Sequence, residues 1–197
     1  MKLYDISQEL FGCAVYPGDR RPRKIEDRRI FRGDLYNLSS LEMCVHNGTH
    51  IDAPFHFLPG GDTVEQLPLE SCVGYCYVSA QTESIGAQAA RQILTAAAKA
   101  GRGAEQRLLL QGSGVVTAEA ARVFAGAGVR LIGVESQSVG PEDAPMEVHK
   151  LLLSAGTALL EGLRLSDVRE GLYFLCAAPL ALGGCDGAPC RALLIGD

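Results

Sequence analysis

The chain has 197 residues, 47% hydrophobic and 21% charged, with 23 Gly, 9 Pro, no Trp and a net charge of −5. That composition fits one globular domain over residues 1–197 and excludes a disordered chain, a collagen-like repeat and a coiled coil; the net acidity argues against nucleic-acid binding. No run reaches the roughly 18 apolar residues of a membrane span and the first residues carry no signal-peptide stretch, so the expectation is a cytoplasmic protein without a membrane partner.

In chain order, a strand is expected over 3–6 and a turn at Tyr16-Pro17-Gly18-Asp19, where Pro presets φ and Gly accepts a positive one. Residues 20–32 hold seven Lys or Arg interrupted by Glu26 and Asp27, which reads as a solvated strand or loop face. Strand signals are short and mixed over 30–44, and clear over 74–80. Ser84 is read as the cap of an Ala-rich helix over 86–100, stopped by Gly101. A strand over 107–111, a helix over 117–126 capped by Thr117, and a strand over 129–134 form a strand–helix–strand unit, which predicts two parallel strands. A short helix over 150–154, strands over 157–160 and 172–176, a turn at 186–189 and a closing strand over 191–195 complete the chain. The class is α/β or α+β with a mixed sheet. Seven cysteines without a CxxC pair read as reduced core residues, with Cys185 and Cys190 as the alternative zinc pair.

The histidines carry the most information. There are four, and three of them fall within eleven residues, as His46, His50 and His56 around Asp52; His149 is the fourth. A lone histidine reads as a satisfied core or surface group, but imidazoles clustered with a carboxylate are the ligands of zinc, manganese or iron. The i, i+4 spacing of His46 and His50 suits a zinc-binding helix, yet Asn47-Gly48-Thr49 and the following Pro54 disfavour one. Extended chain places His46, Gly48, His50 and Asp52 on one side, with His46 and His50 roughly 13 Å apart. A bend near Gly48 is therefore expected, and a second change of direction at Pro54 brings His56 back.

These residues spell His46-Asn47-Gly48-Thr49-His50-Ile51-Asp52-Ala53-Pro54-Phe55-His56. The stretch resembles the motif His-x-Gly-Thr-His-x-Asp-x-Pro-x-His of the cyclase-like metal-dependent hydrolases, a family that includes bacterial kynurenine formamidase and isatin hydrolase. The resemblance extends to Asp5-Ile6-Ser7, the Tyr16-Asp19 turn, the segment from Leu131 to Ser138, the block from His149 to Leu163, Ala178-Pro179-Leu180, and the segment from Asp186 to Ala192. It implies an α/β fold with a mixed, barrel-like central sheet and flanking helices, of the swivelling β/β/α type. It implies two divalent ions, zinc with manganese as the alternative: His46, His50 and Asp52 hold one, and Asp52 bridges to a second held by His149 and Glu161. His56 is then the catalytic acid/base, and the chemistry is attack of metal-activated water on a formamide or lactam carbonyl. The implied substrate is a small-molecule amide, N-formylkynurenine, cleaved to kynurenine and formate, and the implied assembly is a homodimer or homotetramer.

Tyr16 and Phe55 are the expected substrate-binding residues, with Phe57 and Phe11 as further aromatic wall. The chain departs from the family in three places. Formamidases of the family often carry Trp near the early Pro-Gly-Asp turn, where this chain has Tyr16 and no Trp; Gln111-Gly112-Ser113 stands for the family's common Arg-Thr-Gly, and Glu135 for its usual Asp. Three other readings compete. One is hydrolysis of a cyclic amide or imide such as isatin; a second is a non-catalytic metal-binding homologue. The third is a nucleotide-binding module built on Gly112-Ser113-Gly114, in which Thr117 occupies the place of the third glycine.

Overall fold

The computed structural model describes residues 1–81, 83–141 and 144–196. In chain order its elements are β1 (Lys2–Asp5), β2 (Arg23–Arg28), β3 (Leu38–Glu42), β4 (His50–Asp52), α1 (Leu69–Cys72), β5 (Val73–Ala80), α2 (Ala87–Ala100), β6 (Arg107–Gln111), α3 (Ala118–Gly126), β7 (Leu131–Val134), α4 (Pro145–Ser154), β8 (Ala158–Glu161), β9 (Gly171–Cys176), β10 (Gly187–Pro189) and β11 (Leu193–Gly196). Nine strands form one curled mixed sheet in the order β1-β11-β9-β5-β6-β7-β8-β4-β10, and β2 and β3 pair as a separate two-stranded arm. The four central strands β5, β6, β7 and β8 are parallel neighbours, flanked by antiparallel pairs on both sides.

The leucine run of β6 shows why both sheet faces are covered. Leu108 and Leu110 join Ile93, Phe124 and Leu152 of the helices in one core, while Leu109 points the other way into a second core with Leu131, Leu160 and Leu175. A parallel strand buried on both sides reads as an unbroken apolar run, and each leucine so buried contributes about 1.5–3 kcal/mol. Helix α2 buries Ala90, Ile93 and Ala97, one stripe at helical spacing. Helix α3 starts at Thr117, whose hydroxyl accepts the Ala120 N–H, and the parallel pairing of β6 with β7 follows the expected strand–helix–strand unit.

Several expectations are corrected. Ser84 caps nothing: the N-cap of α2 is Gly86, without a side-chain bond. Helix α4 begins at Pro145, five residues before the expected start, because Pro at the first helical position has no N–H to lose and a preset φ. The expected turn at 186–189 contains strand β10, paired antiparallel to β4, so that Gly187 lies opposite Asp52. Strand β4 covers only His50–Asp52, and His46 lies in the turn before it. Residues 30–44 hold one short 3-10 turn and β3, and the basic run forms the solvated β2 side of the arm. The Gly112 N–H, which a pyrophosphate would need, is donated to the Glu135 carboxylate at 2.7 Å. Cys185 and Cys190 join no candidate metal cluster among the described residues, where all seven cysteines are free thiols.

Candidate metal centre

Strand parity brings the first candidate ligands together. Ile51 packs into the core on one side of the sheet, so His50 and Asp52 point to the other. In β8 Leu160 shares the core of Ile51, and Leu159 shares the core under the helices, so Glu161 follows Leu159 to the helix side. Strands β4 and β8 run antiparallel with His50 opposite Glu161 and Asp52 opposite Leu159. Helix α4 lies over this face with Val148, Leu152 and Leu153 buried, and the same stripe carries His149. His50, Asp52, His149 and Glu161 are each at most 3% exposed.

The remaining imidazoles arrive through turns. Gly48 takes φ +68°, the left-handed region open to glycine, and this bend places His46 beside Asp52 rather than a strand length away. Gly162, at φ +71°, sits against that bend: a Cβ there would run into the Gly48 carbonyl oxygen. The Thr49 hydroxyl and the Gln8 side-chain amide both donate to the Gly162 carbonyl, at 2.7 and 2.8 Å, and so tie the turn to the end of β8. Pro54 opens a 3-10 turn that carries His56 back over His46, with ring centroids 4.1 Å apart.

The donor set and its tautomers fit a metal. His50 Nδ1 faces the Gly48 carbonyl at 3.0 Å, and His149 Nδ1 faces the Pro145 carbonyl at 2.8 Å. A carbonyl only accepts, so each Nδ1 carries the hydrogen and each Nε2 is left as the free donor atom, the arrangement that orients metal-binding histidines. Two donor atoms on one ion about 2.1 Å away lie roughly 3.4 Å from each other. His50 Nε2 is 3.3 Å from Asp52 Oδ1 and 3.6 Å from Glu161 Oε2. His149 Nε2 is 3.3 Å from Glu161 Oε1 and 3.7 Å from Asp52 Oδ2. Two groups of potential ligands share Asp52: His46, His50 and Asp52, and Asp52, His149 and Glu161. Two buried carboxylates without a Lys or Arg partner among the described residues call for a cation in their place.

The same carboxylates favour the charged form of three of the imidazoles. Burial opposes charging of His46, but hydrogen bonds and charge from Asp52 and Asp186 outweigh it and raise its pKa to about 9. His50 and His149 are raised in the same way, against burial, by Asp52 and Glu161 respectively. Burial would push Asp52 up, yet its bonds to His46 and His50 hold it well below the ordinary carboxylate range.

A cavity of about 270 Å³ opens over these groups, lined also by Tyr16, His56, Phe57, Gln137 and Ser138. Phe57 stacks on His149 with centroids 4.5 Å apart. Phe55 does not line this cavity; it is 44% exposed, one residue out of phase with His56 on the 3-10 turn, and Phe57 supplies the aromatic wall. Phe11 is likewise outside it. Sequence reasoning missed Asp186. One oxygen, Oδ2, lies 2.9 Å from both His46 Nε2 and His56 Nδ1, and its bonds to them outweigh burial and lower its pKa. It lies 140 and 130 positions from those histidines, and Asp-Gly before Ala-Pro signals a turn, so only the β4–β10 pairing reveals it. It also missed the polar pair at the cavity edge. The Ser138 hydroxyl and both amide atoms of Gln137 are shielded from solvent and make no hydrogen bond among the described residues.

Residues 4–141 match the family described as "Putative cyclase". The chain is 35% identical to a kynurenine formamidase of Salinibacter ruber, over 98% of this chain and 97% of that protein. Its fold matches that of a predicted metal-dependent hydrolase from Bacillus stearothermophilus with a TM-score of 0.81, at 32% identity over 98% of this chain and 97% of the other. It also matches isatin hydrolase A of Labrenzia aggregata with a TM-score of 0.77, covering 98% and 93% of the two chains; at 23% identity that likeness is one of fold alone.

Proposed function

Because the chain belongs to the cyclase family of metal-dependent hydrolases, we propose that it is an arylformamidase, cleaving N-formylkynurenine to kynurenine and formate in tryptophan breakdown. The observation that carries this reading is the convergence of all four histidines with Asp52 and Glu161 on one small cavity, beside an aromatic wall. Two zinc ions are part of the reading, supported by the two ligand groups that share Asp52, one through each carboxylate oxygen. Bound there, divalent ions supply Lewis acidity that polarises an amide carbonyl and makes water acidic enough to attack it near neutral pH.

The chain's own residues do the rest. His56 is 28% exposed at the cavity mouth, with Nδ1 on the Asp186 carboxylate, which leaves Nε2 to exchange protons with the reactants. It takes the proton of the attacking water and delivers it to the departing arylamine nitrogen, so that amide and water become amine and formate. Tyr16 and Phe57 flank the aryl group. The test measures bound metal and hydrolysis of N-formylkynurenine before and after chelation, together with His56→Ala. The expected result is turnover lost on chelation and restored by zinc, and a His56→Ala protein that keeps its metal and loses at least a hundredfold in kcat. Full turnover by His56→Ala with metal bound refutes the assignment.

The same reading includes a homodimer, or a dimer of dimers, in the cytoplasm, and seven free thiols suit a reducing compartment. The β2–β3 arm supports the dimer. A lone two-stranded hairpin is marginally stable in water, and this one and its connecting turn leave Phe31 77%, Leu35 95% and Leu41 50% exposed. Sedimentation should give a dimer that Leu35→Asp weakens; a monomer at micromolar concentration counts against it.

A further inference from the structure

The metal cavity has a neighbour that its chemistry leaves unused. A groove of about 720 Å³ adjoins it and shares Tyr16, Gln137 and Ser138 as common wall. On one side it is apolar, formed by the segment from Ala14 to Pro17; on the other run the loops that follow β6 and β7. Glu135 is the one charged side chain among its described lining residues. The carboxylate is fixed by two backbone donors, Gly112 N–H at 2.7 Å and Leu165 N–H at 2.9 Å, and no Lys or Arg pairs with it among the described residues. At the junction of the two spaces sit the Ser138 hydroxyl, on a residue only 5% exposed, and the Gln137 amide, both without a hydrogen-bond partner among the described residues. Buried polar atoms are almost always partnered in folded proteins, so an unpartnered set between a reaction site and a groove points to a ligand that completes it.

We propose that this groove is the subsite for the part of the substrate beyond the scissile amide. It selects an ammonium-bearing tail through Glu135, while Ser138 and Gln137 pair with polar groups next to the reacting carbonyl. The inference rests on the metal cavity being the site of amide hydrolysis. Ser138 lines both spaces and Glu135 lines the groove alone, so the carboxylate lies on the side away from the reacting carbonyl, where a tail would extend. A fixed carboxylate without a cationic neighbour is a receptor for an ammonium group. The groove presents no Lys or Arg among its described lining residues, so a carboxylate on the same tail gains nothing there and faces solvent.

The test uses the metal-loaded wild-type protein and three formamides. These are formanilide, which lacks a tail; a 2-formamidophenyl ketone with an aminoethyl tail and no carboxylate; and its isostere with an uncharged tail. The ammonium substrate should exceed the neutral isostere about tenfold in kcat/KM, mostly through KM. The ratio should fall towards one in Glu135→Gln and be partly retained in Glu135→Asp. Ser138→Ala should lower kcat/KM for the tailed substrates more than for formanilide. Equal use of the ammonium and neutral substrates by wild type overturns the proposal, as does a preference that persists in Glu135→Gln. If Glu135→Gln does not fold, the wild-type pair alone decides. If none of the formamides is hydrolysed, the formamidase reading fails instead. Calorimetric binding of the corresponding amine products, ammonium against neutral, then decides the groove separately.

Discussion

Gly162→Ala tests whether the metal centre depends on the contact between the end of β8 and the Gly48 bend. Gly162 lies at φ +71°, where a Cβ is strained by about 1–2 kcal/mol. That Cβ would also collide with the Gly48 carbonyl oxygen and lie 2.6 Å from the side-chain amide nitrogens of both Gln137 and Gln8. Backbone on one side leaves little room to yield, so the two segments must separate by on the order of 1 Å, weakening the Thr49 and Gln8 hydrogen bonds to the Gly162 carbonyl at about 1 kcal/mol each. The sum is roughly 3–4 kcal/mol. Gly156→Ala is the matched control: its φ is +78° and its Cβ would meet nothing within 4 Å, so it carries the backbone strain alone. For a domain of this size about 2–4 °C of melting temperature corresponds to each kcal/mol. Calorimetry should show a loss of about 10 °C for Gly162→Ala against about 4 °C for Gly156→Ala. Because the displacement also moves Glu161 relative to His46 and His50, metal retained after dialysis should fall and kcat should drop roughly a hundredfold. Equal melting losses for the two variants, with metal content undiminished in Gly162→Ala, would refute the reasoning.

Other consequences can be measured directly. Asp186→Asn should lower kcat about tenfold to a hundredfold with little change in melting temperature, since Asp186 joins His46 to His56 through one partly exposed carboxylate oxygen; a kcat within twofold of wild type would remove it from the mechanism. Metal binding must displace the proton that His46 holds up to about pH 9 in the metal-free protein. Apparent zinc affinity should therefore rise about tenfold per unit between pH 6.5 and 8.5 for one displaced proton, and a flat dependence contradicts this. The sign for stability runs the other way. The folded pKa of His46 is raised, so its contribution to the metal-free protein is complete below pH 6.5 and is lost as pH rises through about 9. Burial lifts the Cys72 and Cys76 thiols to about 11 and about 12, so neither should react with iodoacetamide at pH 8 in the folded protein, while all seven should in denaturant; mass spectrometry of the labelled chain checks it.

What could be read from residue order is what short stretches of chain decide by themselves. The Gly48 bend and the turn at Pro54 follow from backbone sterics, so the return of His46 and His56 towards His50 and Asp52 was legible within eleven residues. The leucine runs of β6 and β8 and the Thr117 cap are equally local. His149 and Glu161 entered only through family resemblance, since nothing near either one marks it as a ligand. Their meeting depends on β8 pairing with β4 in a register that sets Glu161 opposite His50, and on α4 starting early enough, at Pro145, to carry His149 over that pair. Asp186 was legible only as part of a turn in a matched segment, and Glu135 only as a departure from the family; neither the contact of the one with His46 and His56 nor the groove around the other could be read from residue order. Asp186 reaches His46 because β10 adds to the outer edge of β4, and the groove exists because loops after two parallel strands end side by side. Local sterics act over a few bonds and are written in neighbouring residues. Strand register and helix docking are settled by burying both faces of one sheet at once, a condition on the whole chain that no short segment encodes.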